Sequence, residues 1–157
     1  MAAGESSAEG LFYVVAASGA RALLIGHKAL VVLGVPVVAG EYEYWIHADD
    51  VETFNRALSP LGFVFNCTLD AARSRDCYAL EKDERIVVRA ASVQLTVDGA
   101  RVAFDEVWSR RVSFPLDARV SVELPCLDDL IATKRFAARP KDAEDIRMLE
   151  ALRRRAP

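Results

Sequence analysis

Two glutamates set two residues apart, Glu41 and Glu43, open the aromatic stretch Glu41-Tyr42-Glu43-Tyr44-Trp45-Ile46. In an extended strand alternate side chains leave by the same face, so both carboxylates stand together and Tyr42 and Tyr44 leave by the other. Two carboxylates side by side repel unless a cation sits between them. A hard divalent ion such as Mg2+ or Mn2+, which prefers oxygen ligands, is one answer. A solvated strand face is the other. Upstream, with thirteen residues between, the run Leu24-Ile25 breaks at Gly26-His27. A bare glycine there lets backbone N–H groups approach an anion. His27 is then either a phosphate contact or a packed, hydrogen-bonded imidazole.

The elements that must position these groups are legible from patterning. Ala22–Ile25 is continuously apolar, as in a strand covered on both faces. Lys28–Leu33 is a short apolar helix, and Gly34, Pro36 and Gly40 make the connection to the next strand a loop. Tyr42–Ile46 is aromatic and β-branched, a strand. Asp49 or Asp50 caps a helix through Val51, Phe54, Ala57 and Leu58. Pro60-Leu61-Gly62 ends it, and Phe63–Phe65 starts a strand. Upstream, Leu11–Ser18 reads as an apolar helix closed by Ser18-Gly19. Downstream, Arg85–Ala90 and Ser92–Val97 read as adjacent strands, Asp98-Gly99 as a turn, Phe104–Arg110 as a helix and Ala118–Leu124 as a strand. Leu127–Ala138 and Asp142–Arg154 form a C-terminal helical pair. Asp142 and Asp145 stand where an N-cap and an N3 acid belong, and Arg153–Arg155 suit the negative end of the last helix.

The expected class is α/β (α+β), a mixed sheet flanked by helices, in one domain over residues 1–157 with residues 1–10 outside the packed part. The chain is 52% apolar and 27% charged, which suits a cored globular domain and excludes disorder. A formal net charge of −3 gives no global field for nucleic acid. Cys67, Cys77 and Cys126 have no zinc-ligand spacing to one another or to His27 and His47. They read as reduced, mostly buried thiols of a cytoplasmic protein. Met1–Gly10 carries no basic stretch before an apolar run, so it does not read as a secretory leader. The apolar stretch Leu23–Val38 is too short and too interrupted to span a bilayer.

The segment Leu24-Ile25-Gly26-His27, a spacer, then Glu41-Tyr42-Glu43-Tyr44 resembles the nucleotidyltransferase superfamily. Its pattern is an apolar residue, Gly, Gly or Ser, a spacer, then Asp, apolar, Asp or Glu, apolar. The small bacterial members related to minimal nucleotidyltransferases and abortive-infection toxins look nearest. Phe104-Asp105-Glu106-Val107-Trp108, Leu127–Arg135 and Arg139–Ile146 extend the likeness over about Ala22 to Leu152. The resemblance implies a nucleotidyltransferase-like mixed sheet and, in active members, attack on the α-phosphate of a nucleoside triphosphate across two metal ions. It assigns metal and catalytic roles to Glu41 and Glu43, with Gln94 at the position of a third acid, counted back from Phe104. It assigns nucleotide binding to Gly26, His27 and Lys134.

Three positions depart from the pattern. His27 replaces a small residue, Glu41 replaces a shorter Asp, and Gln94 is neutral. They lead to the expectation of a nucleotidyltransferase-fold protein with impaired or absent transfer, a pseudoenzyme acting as a binding or regulatory module. Mg2+ or Mn2+ would be held weakly or not at all. A nucleoside triphosphate and a protein partner, in a toxin–antitoxin-like setting, are the implied ligands. The alternative is an active metal-dependent enzyme moving a nucleoside monophosphate onto a hydroxyl of a small molecule, RNA or protein. Lys134 reads as a phosphate contact or an exposed helix lysine. Arg139, Lys141, Asp142 and Asp145 read as caps and ion pairs.

Overall fold

The computed structural model describes residues 6–38, 40–68, 71, 77–118, 120–137 and 139–155. Helix α1 (Ser6–Ser18) leads into β1 (Ala22–Ile25), α2 (Gly26–Val32) and β2 (Tyr42–Ile46). A 3-10 turn precedes α3 (Val51–Leu58), followed by β3 (Val64–Phe65), β4 (Cys77–Glu81) and β5 (Arg85–Arg89). The hairpin β6 (Val93–Leu95) and β7 (Arg101–Ala103) feeds α4 (Phe104–Ser109), and β8 (Val112–Pro115) pairs with β9 (Ser121–Leu124). Helices α5 (Leu127–Thr133) and α6 (Pro140–Arg155) close the chain.

The main sheet has the order β1-β2-β5-β4-β3. Only β2 and β5 run parallel; the other neighbours are antiparallel, so the sheet is mixed. On one face Tyr42, Tyr44 and Ile46 of β2 and Ile86 and Val88 of β5 are buried. Phe12 of α1 meets Tyr42 edge-on at 5.9 Å, and Phe54 of α3 meets Tyr44 at 5.5 Å. On the opposite face Trp45 is buried between the edges of Phe104 and Phe136, and its Nε1 donates to Ala91 O at 2.9 Å. Burying aromatics of this size contributes most of the apolar stabilisation of each layer.

The α/β class with a mixed sheet and a C-terminal helical pair is as expected, and several details differ. α1 begins at Ser6 rather than Leu11, so residues 6–10 are helical; the expectation for residues 1–5 lies outside the described residues. Three strands were not expected: β4, which is apolar on both faces, and β7 and β8, which are short and carry no buried residue. Arg85–Ala90 and Ser92–Val97 do not pair: β5 belongs to the main sheet and β6 to a hairpin with β7. Neither Asp49 nor Asp50 caps α3 through its side chain. His47 Nδ1 instead accepts from the Asp49 N–H, and Asp50 is taken up by Arg21. The three thiols are free and none is fully buried; Cys77, at the start of β4, is exposed. No described helix is long and apolar enough to cross a membrane.

Candidate functional site

The turn leaving β1 is built on Gly26. Its φ is +72°, in the left-handed region, and a Cβ there would stand 3.0 Å from Glu43 Cβ and Oε1. Only glycine meets both demands without strain. β1 pairs antiparallel with β2, with Ile25 opposite Glu43, so the turn lies directly against the second glutamate. Glu41 comes one residue before β2 begins and is exposed.

A cleft of about 430 Å3 opens here, lined among others by Gly26, His27, Glu41, Glu43, Lys134 and Arg139. Five of the six residues assigned to the site from sequence therefore meet in one place, with Lys134 contributed by the end of α5. The sixth, Gln94, does not line it. Gln94 lies on β6, paired with Val102 of β7, and is buried with its Nε2 unpartnered among the described residues. The strand beside β2 is β5. Parallel register sets Glu43 against Val87 and Trp45 against Arg89, so Arg85, Val87 and Arg89 share the acidic face. Counting back from Phe104 fails because β6 lies outside the main sheet, in a hairpin with β7.

Arg89 is the principal residue that sequence reasoning missed. Its Nε donates to Glu43 Oε2 at 2.9 Å, with both side chains 17% exposed. Its guanidinium also lies 5.6 Å from the Phe136 ring centroid. The available signal was period two: Arg85, Val87 and Arg89 alternate, placing two cations on the face of a strand that could meet Glu41 and Glu43. Arg85 does lie 3.8 Å from Glu41 and 3.4 Å from Glu81. Cys77 of the missed β4 pairs with Arg89 and stands on the same face. Burial pushes its thiol pKa up, while Arg89 and Arg85 pull it down and Glu43 and Glu41 push it up.

A second ionic cluster closes the far wall. His27 Nε2 meets Asp145 Oδ2 at 2.8 Å, and Nδ1 lies 3.3 Å from Val38 O. Lys134 Nζ lies 3.2 Å from the same Asp145 oxygen, and both of those side chains are 3% exposed. His27 is thus the packed, hydrogen-bonded imidazole. Lys134 is not an exposed helix lysine: it is buried at the cleft wall on an acid one turn into α6. Asp145 is therefore not an N3 acid. That place belongs to Asp142, whose Oδ2 accepts from the Arg139 N–H at 3.3 Å and from Nε at 3.0 Å, while Oδ1 accepts from the other end of the guanidinium at 3.2 Å. These bonds raise the Arg139 pKa further, and Glu43 and Asp145 add attraction. Lys141 is exposed at the cleft rim with no ion pair among the described residues.

This donor set does not fit the divalent ions that the family resemblance implies. One oxygen of Glu43 is occupied by a guanidinium and the other packs on Gly26. Glu41 is half exposed beside Arg85, and β5 offers no carboxylate at the facing positions. Among the described residues no three His, Cys, Asp or Glu side chains converge as ligands.

The chain superposes on two solved structures over nearly its full length. TM1012 of Thermotoga maritima, described as a candidate nucleotidyltransferase, matches with a TM-score of 0.59 and 14% identity, covering 94% of this chain and 91% of that one. The lincomycin-bound lincosamide antibiotic adenylyltransferase LnuA matches with a TM-score of 0.62 and 13% identity, covering 93% and 98%. No protein-family model and no curated protein sequence matches the chain. At such identities the likeness shows the fold: the chain has a nucleotidyltransferase-like fold.

Proposed function

We infer that this nucleotidyltransferase-like fold serves as a binding or regulatory module in which nucleotidyl transfer is impaired or absent. One observation carries the reading: the ionic groups of the cleft are committed to one another. Glu43 is paired with Arg89, His27 and Lys134 with Asp145, and Arg139 with Asp142. Transfer of a nucleoside monophosphate needs carboxylates free to hold metal and cations free to meet the triphosphate. Breaking a pair to release either group leaves its partner charge uncompensated in a half-buried wall, which costs several kcal/mol. The exposed rim, Lys141 and Glu41, is what remains for recognition, and a protein partner is the ligand class this reading favours.

The test is incubation with each labelled nucleoside triphosphate, Mg2+ or Mn2+, and crude RNA, protein and metabolite pools. The expected result is no transferred label and no gain in triphosphate affinity on adding metal. Metal-dependent transfer of label to a hydroxyl acceptor would replace this reading with that of an active transferase.

A further inference from the structure

We propose that Arg89 is a permanent internal counter-ion of Glu43 that makes a bound cation unnecessary there, so that its removal leaves a carboxylate which a divalent cation can neutralise. The inference rests on the reading above and deepens it: it names what holds the charge of Glu43 in place of a metal.

A carboxylate pair on one strand face repels itself unless it is solvated or neutralised, and Glu43 is the less exposed of the two. In this cleft three constraints aim a guanidinium at Glu43. The parallel register brings Arg89 to the face that Glu43 occupies, one residue pair further along the strands. The 2.9 Å bond fixes Nε on Oε2. The Phe136 ring, itself seated on Trp45, supports the guanidinium from α5's side of the cleft at 5.6 Å. A planar guanidinium held by an aromatic face and a carboxylate loses little further freedom on pairing. Oε1 lies against the bare backbone of Gly26, so Oε2, the oxygen that carries the ion pair, is the one Arg89 withholds from any other cation. Arg85 does the same for Glu41 more loosely, at 3.8 Å and in solvent. The face therefore carries alternating glutamate and arginine across two strands, a charge ladder that needs no bound ion.

The consequence is specific. Without Arg89, Glu43 is left with Glu41 and Arg85 on the strand face and with Arg139 attracting it from the far wall, and an added divalent cation should restore the lost stability. An aspartate at 89 would supply a second carboxylate across from β2. The experiment compares the full chain with Arg89→Ala, Arg89→Gln, Arg89→Asp and the double change Glu43→Gln with Arg89→Gln. Melting temperature is measured in EDTA and in MnCl2, and bound Mn2+ by electron paramagnetic resonance. The wild type should melt at the same temperature in both. Arg89→Ala and Arg89→Gln should melt several degrees lower in EDTA and regain most of that loss with Mn2+. Arg89→Asp should bind one Mn2+ per chain. The double change should melt close to wild type and ignore Mn2+. Alkylation of Cys77 at neutral pH gives a second readout. Removing Arg89 withdraws a neighbour that lowers the thiol pKa, so the reaction should slow, and Mn2+ should restore it. Should Arg89→Asp fail to fold, the Ala and Gln variants still decide. Arg89 variants whose melting and Cys77 reactivity ignore Mn2+ overturn the proposal even if the wild type transfers no label. Transfer of label by the wild type instead overturns the functional reading on which it rests.

Discussion

At Gly26 the backbone has to be left-handed and bare at once, because the next strand's carboxylate occupies the space where a side chain would go. Gly26→Ala should therefore destabilise the fold by about 1–3 kcal/mol, from the positive φ together with crowding of Glu43. Chemical denaturation of the two proteins at neutral pH checks this; equal midpoints would mean the turn relaxes freely. A second residue-scale device lies at the opposite end of β1. The guanidinium of Arg21 donates to both oxygens of Asp50 at 2.8 and 3.0 Å, and the Arg21 N–H adds a third bond at 2.8 Å. The Arg21 guanidinium holds the Asp50 carboxyl below its usual range, against the opposing effect of burial. A carboxyl whose pKa is depressed by folding stabilises above its unfolded pKa, near 4, and loses that stabilisation as pH falls through the folded value. Asp50→Asn should thus lower stability at neutral pH by about 1 kcal/mol, since Arg21 is partly exposed. The loss relative to wild type should shrink on acidification below pH 4, measured as urea midpoints across the acid range. A loss independent of pH would show that the bonds, not the charge, matter.

The C-terminal helix is tied down at the element scale by a reciprocal cap. Pro140 sits at its first position, where the missing N–H costs nothing, and Asp142 reaches back to the Arg139 N–H. Asp142→Ala should cost about 1 kcal/mol through the cap. It should also release Arg139 toward the cleft, so triphosphate affinity, read by calorimetry, should rise even as the melting temperature falls. A fall in both would leave Asp142 with a capping role alone. Elements of strong periodicity were legible in advance. Tyr42–Ile46 and Val51–Leu58 stand where alternation and helical spacing put them. β4 and β8 were not: Cys77-Tyr78-Ala79-Leu80-Glu81 has buried residues on both faces and so does not alternate, and Val112–Pro115 is short and exposed throughout, so its alternation marks no buried face.

Across the whole molecule, the same distinction decides how much of the site could be read. Gly26, His27, Glu41 and Glu43 lie within one β-α-β segment, where spacing alone brings them together. Asp145 and Arg89 pair with cleft residues only through tertiary contacts, so their charges looked like ordinary surface ions in one dimension. Gln94 shows the converse: a position counted along the chain carries no information once the strand it sits on leaves the sheet. Five of the six expected residues therefore line one cleft while Gln94 lies outside it, and the neutralising arginine went unseen because its partner is distant in sequence.

The parallel pairing of β2 with β5 has a consequence for the order in which the chain acquires its structure. β1 and β2 are near neighbours in sequence, but residues 47–84 intervene before β5 begins. A ribosome releases the two glutamates well before it releases their arginine. Until then β2 presents an acidic edge with an open row of backbone donors and acceptors. The step that limits folding should accordingly be the arrival of β5 between β2 and β4, and chains stalled before residue 89 should remain protease-sensitive throughout the sheet.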